Sequence, residues 1–182
     1  MNSSRQIHVA LAFDNNFWAP AYTVMRSICF HTSEYERVEF HLCEYDVSDA
    51  HRADLDKIAD EFGAKIHHYD VLQLESFRAA EAILPAKGNL HSVIYARMLL
   101  DHFVPETIKR IIYLDCDTMV ATPIEDLFDA DLKGHALGAV FDTQSMKAKM
   151  GYDIKGKGDI FTPRDDYFNS GVLVIDLDKY RK

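Results

Sequence analysis

The sequence predicts an α/β fold in which helices flank a mostly parallel sheet. Three observations indicate this class: short apolar segments of strand length recur, segments with apolar residues at helical spacing separate them, and polar residues follow several strand ends. Strands that alternate with helices form right-handed crossover units, which build parallel sheets. The 182 residues, 48% of them apolar, are enough for one globular domain over residues 1–182.

The first half of the chain alternates three predicted strands with two helices. The predicted strands are residues 7–13, 38–45 and 64–71. Polar residues 14–16 lead from the first strand into a helix over 18–31. We expect the second helix to start after a capping residue, Ser48, and to stop at Gly63, because these residue types favour the two ends of a helix.

The second half continues the alternation and ends in an apolar strand. A loop at residues 84–89 precedes a helix predicted over 92–103. The later predicted strands are residues 110–115, 136–141 and 171–177. Only five residues follow the last strand, so we expect the chain to lack the later part of such a domain.

Composition argues against some partners. The chain has 20 Lys and Arg against 29 Asp and Glu, a formal net charge of −9. This balance argues against nucleic acid, and it requires an anionic ligand to be held locally by a metal ion, a helix N-terminus or an arginine. The three cysteines lack C-x-x-C spacing, and there is no signal-peptide pattern or apolar stretch of roughly 18 residues. We expect a soluble cytoplasmic protein.

Two aspartates, Asp115 and Asp117, follow the apolar segment IIYL. Residues i and i+2 of an extended strand point the same way, so these carboxylates would repel each other unless a cation lay between them. With Asp14 and Asp142, which follow two other strands, they would form an oxygen-rich site for Mg²⁺ or Mn²⁺ at the carboxyl edge of the sheet. The alternative is a strand end whose aspartates face solvent.

Several polar residues also have ordinary structural explanations. Residues 14–16 could form an Asx turn that caps the following helix. Arg97, in an otherwise apolar helix, could form a surface salt bridge. Asn169 and Gly171 could form a turn before a buried strand. These structural roles and roles in ligand binding remain alternatives at this point.

The sequence gives no indication that Cys116, His67 or His68 is a catalytic residue or a metal ligand. We expect the Cys116 side chain, between the two aspartates, to pack inward. His67 and His68 are adjacent on a predicted strand, so they would face opposite sides of the sheet. We interpret both as structural or surface residues.

Four motifs, in order along the chain, together resemble glycosyltransferase family 8, which includes bacterial lipooligosaccharide galactosyl- and glucosyltransferases and glycogenin. The motifs are VALAFDNNFWAPAYTVMRSI, IYARMLLDHF, IIYLDCDTMV and YFNSGVLVIDL. The resemblance implies a GT-A fold, a UDP-sugar donor, Mn²⁺ or Mg²⁺ as the metal ion, and transfer with retention of anomeric configuration.

The resemblance also implies roles for individual residues. Those implied to contact the nucleotide are Ala12, Asp14, Asn16 and the backbone of Cys116. Those implied to hold the metal ion and the donor are Asp115 and Asp117. Those implied to reach the diphosphate or to line the sugar pocket are Arg97, Asn169, Ser170 and Gly171. Asp142 would face the acceptor as a further catalytic residue.

The implied activity is transfer of a hexose from a UDP-sugar to a saccharide or glycolipid acceptor, in the synthesis of lipopolysaccharide or another surface glycan. A glycolipid acceptor would bring the protein into peripheral contact with the inner face of a membrane. In the family, a histidine that completes the metal site lies downstream of YFNSGVLVIDL, and this chain ends at Lys182. We therefore expect a donor-binding portion. Its activity alone, its sugar, its linkage and its oligomeric state stay open.

Two alternative functions remain. The D-x-D-T pattern after an apolar strand also describes haloacid-dehalogenase-type phosphatases, in which Asp115 would accept the phosphate and Asp117 would act as the acid. That motif normally opens its domain, whereas three strand–helix units precede it here. The second alternative is a non-catalytic module that binds a nucleotide sugar.

Overall fold

The computed structural model describes residues 5–84, 92–141 and 168–182. In this part of the chain, a six-stranded sheet has the order β3-β2-β1-β4-β6-β5. The strands are β1 (Ile7–Asp14), β2 (Val38–Tyr45), β3 (Lys65–Asp70), β4 (Arg110–Leu114), β5 (Leu137–Phe141) and β6 (Phe168–Asp176). Strands β1 to β4 are parallel, whereas β6 is antiparallel to β4 and β5. The predicted mostly parallel sheet is confirmed.

Helices connect the strands. The α-helices are α1 (Trp18–His31), α2 (Asp49–Phe62), α3 (Glu75–Ile83), α4 (Leu100–Phe103), α5 (Ile124–Phe128) and α6 (Leu177–Tyr180). The 3-10 helices are Tyr35–Arg37, Val71–Gln73 and Ser92–Leu99. Both predicted ends of α2 are confirmed: Ser48 Oγ accepts a hydrogen bond from the His51 backbone at 3.3 Å, and Gly63 closes the helix at φ = 73°.

Alternating side chains give the sheet two apolar faces, as expected for strands buried on both sides. One face, which includes Val9 and Phe40, packs against α1, α2 and α5. The other face, which includes Ala10 and Tyr113, packs against α3, α4, α6 and the 3-10 helix between α3 and α4. Because helices cover most of both faces, the edge at the carboxyl ends of the parallel strands is where polar side chains can meet a large ligand.

The segment predicted as one helix over 92–103 differs from the prediction. It begins as the 3-10 helix Ser92–Leu99 and continues as α4. Its inward-facing residues Val93, Ala96 and Leu99 recur every three positions, which is the period of a 3-10 helix. Helix α3 was not predicted.

The expectation that Asp115 and Asp117 lie on an extended strand was wrong. Strand β4 ends at Leu114, and the chain then turns. The backbone N–H and the hydroxyl of Thr118 both donate to the Asp115 carbonyl, at 3.2 and 2.8 Å. These two hydrogen bonds close a turn that carries the aspartates over the edge of the sheet.

Candidate functional site

The candidate site lies where β1, β4 and β6 meet at the carboxyl edge of the sheet. Strands β1 and β4 both end here, while the antiparallel β6 begins here. The Asp115 backbone N–H donates to the Gly171 carbonyl at 2.8 Å, which joins the end of β4 to the start of β6. The direction of β6 therefore brings residues 169–171 beside the aspartates.

The first of two clefts at this edge has a volume of about 260 Å³. Phe17, Val93 and Ile94 contribute apolar walls, and Asp14 and Asp117 contribute carboxylates. Ala12, Arg97 and Cys116 also line it. A mainly apolar slot with a few polar groups suits a flat heterocyclic ring that carries polar substituents.

The second cleft has a volume of about 400 Å³. Its lining includes Asn169, Gly171 and Phe141. Asp115 and Asp117 line this cleft as well as the first one. The two carboxylates therefore stand between an apolar slot and a more polar pocket.

Asp115 is fixed by its neighbours. Its Oδ1 accepts a hydrogen bond from the Tyr113 hydroxyl at 2.9 Å and lies 2.9 Å from Arg97 Nη2. The side chains of Arg97 and Asp115 are 16% and 32% exposed, so the ion pair is partly shielded from solvent. Asp117, in contrast, is exposed.

Arg97 joins the two sides of the site. Its Nη1 donates to the Ser170 carbonyl at 2.9 Å and to the Ser170 hydroxyl at 3.0 Å, and its guanidinium lies 4.8 Å from the centre of the Tyr113 ring. The salt bridge that the sequence left as an alternative is therefore present, with Asp115 as the partner. The contact of Arg97 with a donor sugar or diphosphate stays a prediction.

Gly171 allows the close approach of β6 to the aspartates. A Cβ atom at this position would lie 2.6 Å from Asp115 Oδ2 and 2.9 Å from Asn169 Oδ1, which is too close for either contact. Asn169 Oδ1 accepts a hydrogen bond from the Gly171 backbone N–H at 2.7 Å. Residues 169–171 lie within β6, so the turn before this strand that the sequence left as an alternative is not formed, and Asn169 and Gly171 instead line the second cleft.

Asp14 forms the Asx turn that the sequence left as an alternative. Its Oδ1 accepts hydrogen bonds from the backbone N–H groups of Asn16 and Phe17, at 2.9 and 3.2 Å. Asp14 still lines the first cleft. Asn16 is exposed and is not among the residues that line the two clefts, and Asn15 instead accepts a hydrogen bond from the Ser48 backbone N–H at 3.0 Å.

The prediction that Cys116 packs inward is confirmed. The side chain is buried, and its Sγ lies 3.7 Å from the Ala12 carbonyl, to which it donates. Burial raises the pKa of the Cys116 thiol to about 12, with the nearby Asp115 and Asp117 acting in the same direction. The thiol is therefore protonated at neutral pH and is a poor nucleophile.

The structure brings most of the predicted site residues together. Those that line the clefts are Ala12, Asp14, Arg97, Asp115, Cys116, Asp117, Asn169 and Gly171. Ser170 joins them through Arg97. Asp142 lies outside the described residues. Sequence reasoning missed Tyr113, whose only signal was a polar group in an apolar strand, two residues before Asp115.

Asp115 and Asp117 fit a divalent cation. Carboxylate oxygens are the donors that Mg²⁺ and Mn²⁺ prefer, and two carboxylates leave coordination positions for phosphate oxygens and water. The glycine at position 171 keeps open the space next to Asp115 that a Cβ atom would fill.

The arrangement of the sheet and the site defines a GT-A-type α/β protein, and solved structures have the same fold. An active-site mutant of LgtC superposes with a TM-score of 0.76 and 25% identity, covering 96% of this chain and 59% of that one. The crystal structure of the galactosyltransferase LgtC in complex with donor and acceptor sugar analogues superposes with a TM-score of 0.74 and 24% identity, with the same coverage.

The sequence pattern of glycosyl transferase family 8 matches residues 8–182, so the chain belongs to this family. The resemblance drawn from the four motifs is confirmed. A curated relative, probable galacturonosyltransferase-like 4 of Arabidopsis thaliana, is 26% identical over 97% of this chain and 51% of the relative. The chain thus spans about half the length of that relative. Among the described residues, every helix is too short or too polar to cross a lipid bilayer.

Proposed function

We propose that the chain is the donor-binding portion of a retaining glycosyltransferase that uses a UDP-sugar and Mn²⁺ or Mg²⁺. The observation that carries the proposal is the position of Asp115 and Asp117, which line both the apolar slot and the polar pocket. A nucleotide sugar has the same order of parts: a ring, a doubly charged diphosphate and a polyhydroxylated sugar. Membership of glycosyl transferase family 8 supports the proposal.

The site residues divide between the parts of the donor. Ala12 and Asp14, in the first cleft, would contact the uridine, with Phe17 as an apolar wall. Asn169 and Gly171, in the second cleft, would contact the sugar. Asn16 would reach the ribose only by a change of position, because its side chain is exposed outside both clefts.

Asp115 and Asp117 would hold the metal ion. When bound, the divalent cation would neutralise the charge that develops on the diphosphate leaving group. Arg97 would supply a second positive charge, and the apolar wall of the first cleft would exclude water from the nucleotide. The acceptor hydroxyl would attack the anomeric carbon from the face that UDP leaves and would lose its proton to the departing phosphate, which retains the configuration.

The test is binding of UDP to the purified chain, measured by calorimetry with and without Mn²⁺. Asp115→Ala and Asp117→Ala each remove a proposed metal ligand. Losing a residue that only contacts a ligand costs roughly 10- to 100-fold in metal affinity, so each variant should weaken Mn²⁺-dependent UDP binding by more than this. Asp60→Ala, which removes an exposed carboxylate on α2, is the matched control. Unchanged metal dependence in both site variants would refute the assignment.

Turnover separates the catalytic proposal from its two alternatives. A transferase releases UDP from one of several UDP-sugars in the presence of a saccharide acceptor, whereas a phosphatase releases phosphate from a small phosphomonoester. A non-catalytic module binds UDP and does neither. Family membership favours the transferase over the phosphatase, because the D-x-D segment lies within the residues that match the family.

The wider biological role is part of the same proposal. A hexose as the transferred sugar, a glycolipid or saccharide acceptor and a place in the synthesis of a surface glycan follow from the family resemblance. Asp142 on the acceptor side, a cytoplasmic location and peripheral contact with a membrane stay predictions.

A further inference from the structure

A second group of ligand-type side chains lies on the face of the sheet, among residues that the proposed function does not use. We define the strand-face cluster as His8 of β1 with Glu39 and His41 of β2. The register of the parallel pair places His8 opposite Glu39, and His41 lies two residues further along the same face. One nitrogen or oxygen atom from each side chain lies within 4.8 Å of the other two.

The distances are close to those of a metal-binding site. His8 Nδ1 lies 3.1 Å from His41 Nε2 and 3.9 Å from Glu39 Oε2. Ligand atoms about 2.0–2.1 Å from a tetrahedral Zn²⁺ are separated from one another by roughly 3.3 Å. Small side-chain rotations would therefore bring the three ligand atoms onto one ion.

Neighbouring residues hold the cluster in the orientation that a metal ion requires. The Tyr69 hydroxyl lies 3.0 Å from His41 Nδ1, so an Nδ1–H donated to this hydroxyl would leave Nε2 free to bind the ion. Glu39 Oε1 accepts hydrogen bonds from Gln6 at 2.9 Å and Lys65 at 2.8 Å, while Oε2 faces the imidazoles. These neighbours contact His41 Nδ1 and Glu39 Oε1, the atoms on the far side of each group from the centre of the cluster.

Burial and hydrogen bonds shift the pKa values of all three residues of the cluster. Burial, reinforced by the neighbouring histidines, lowers the pKa of His41 to about 3, and burial lowers the pKa of His8. Burial alone would raise the pKa of Glu39, but hydrogen bonds from Lys65, Gln6 and His67 outweigh it and lower the pKa to about 2.

Solvent can reach the cluster from one side. The side chains of His8 and Glu39 are 15% and 12% exposed, whereas His67, next to them on β3, is 42% exposed. His67 stacks on His41 with 4.9 Å between ring centroids, and its Nε2 lies 3.2 Å from Glu39 Oε2. His67 therefore borders the open side and orients Glu39.

We propose that His8, Glu39 and His41 bind Zn²⁺ at a site separate from the aspartates, with water in the fourth position, and that the ion ties β1 to β2. Two imidazoles and one carboxylate are a donor set that zinc accepts readily, whereas the oxygen-only set at Asp115 and Asp117 suits Mg²⁺ or Mn²⁺. Tyr69 and His67 are positioning residues in this site.

The experiment is a titration of the purified, chelator-treated chain with Zn²⁺, in a variant in which Asp115 and Asp117 are both replaced by alanine. We expect one Zn²⁺ per chain and a rise in Tm of about 5–10 °C at a free Zn²⁺ concentration of roughly 100 times Kd. Co²⁺ in the same site should give the visible absorption of a tetrahedral ion.

Three further variants test one ligand, one positioning residue and one control position. In the same background, His8→Ala should abolish stoichiometric Zn²⁺ binding, and Tyr69→Phe should weaken it by about 10-fold or more, because it removes only an outer-shell partner. His135→Ala, which removes an exposed histidine away from the cluster, should bind like its parent. His8 is partly exposed, so its variant is expected to fold, which far-ultraviolet circular dichroism would verify.

Two outcomes would overturn the proposal. One is the absence of Zn²⁺ binding tighter than about 0.1 mM in the aspartate-free chain. The other is equal Zn²⁺ affinity in the folded His8→Ala variant and its parent. Neither outcome bears on the UDP-binding proposal, because that test uses Mn²⁺ and different residues.

Discussion

Two carboxylate centres on the same sheet differ in where the backbone places them. Asp115 and Asp117 lie beyond the end of β4, in a turn, and line two open clefts. Glu39 and its histidine neighbours lie within paired strands, where the register fixes their spacing. A centre at the edge of a sheet can admit a large ligand and let it leave, whereas a centre on the face is suited to an ion that stays.

The two centres also differ in how their negative charge is balanced. The Asp115 carboxylate is paired with an arginine on a 3-10 helix, and this guanidinium can turn towards another anion. The Glu39 carboxylate accepts hydrogen bonds from Lys65 and Gln6 on one oxygen and has imidazoles beside the other. At the edge, Arg97 could therefore be replaced as the partner of Asp115. On the face, several neighbours together balance the negative charge of Glu39.

The largest expected effect is a separation of the two proposed metal sites by single substitutions. Asp117→Ala should abolish Mn²⁺-dependent UDP binding and leave Zn²⁺ binding intact, while His8→Ala should do the reverse, each by more than about 100-fold, because each removes a direct ligand. Calorimetry with each metal ion measures both. If either substitution weakened Mn²⁺-dependent UDP binding and Zn²⁺ binding equally, the two centres would not be independent.

The next largest effect is expected from Gly171→Ala. The added Cβ would displace Asp115 or Asn169, so UDP binding with Mn²⁺ should fall by about 10-fold or more, with a loss of roughly 1–3 kcal/mol in the free energy of unfolding. Gly138→Ala on β5 is the control, since its Cβ would meet the end of the flexible Leu132 side chain, 2.7 Å away. If Gly171→Ala bound UDP with wild-type affinity, the observed position of Asp115 would not be required for binding.

A smaller effect is expected from Tyr113→Phe. This substitution removes one hydrogen bond of 2.9 Å to Asp115 and keeps the aromatic ring under Arg97. A hydrogen bond to a charged group contributes about 1.5–3 kcal/mol at most, and in the free chain Arg97 still positions the carboxylate, so we expect UDP affinity to fall by about two- to tenfold. Calorimetry can detect this change, and an increase in affinity would contradict it.

The smallest effect concerns the face of β2 and β3 that is opposite the strand-face cluster. His68 contacts the buried Glu44 at 2.6 Å and Asp56 at 2.9 Å, and the Glu44 hydrogen bond raises the pKa of His68 despite the opposing effect of burial. A raised pKa in the folded chain stabilises it fully below the ordinary value of 6.5, and this stabilisation is lost as pH rises through the folded-state pKa.

His68→Gln should therefore lower the free energy of unfolding by about 1 kcal/mol at pH 6, and by less at pH 9. Urea denaturation at both pH values measures the difference. A loss that grows with pH would contradict the raised pKa and would make His68 resemble His41, which burial keeps neutral.

Local sequence signals predicted much of the fold. Ser48 and Gly63 marked the ends of α2 because capping depends on a few neighbouring residues. The adjacent histidines at 67 and 68 do face opposite sides, since His67 contacts Glu39 and His68 contacts Glu44. The three-residue spacing of Val93, Ala96 and Leu99 was also present in the sequence, but helical spacing at i+3 and i+4 resembles it.

Long-range features were beyond sequence reasoning. The hydrogen bonds from Arg97 to Ser170 and the approach of Gly171 to Asp115 depend on β6 lying antiparallel beside β4, and strand direction has no local signal in the apolar residues of β6. The strand-face cluster likewise needs the register of β1 against β2, because His8 and Glu39 are 31 positions apart in the sequence. The roles of the site residues themselves stay predictions.

The ion pair between Arg97 and Asp115 has a thermodynamic consequence. In the free chain Asp115 Oδ1 is paired with Arg97, so under the proposed function a metal ion at Asp115 would compete with this guanidinium, and a released guanidinium would favour an anion nearby. Metal ion and diphosphate should therefore bind with positive linkage, each raising the affinity for the other by the same factor. In this way a chain with a net charge of −9 could recognise an anion and its counterion as a neutralised pair, and respond weakly to either one alone.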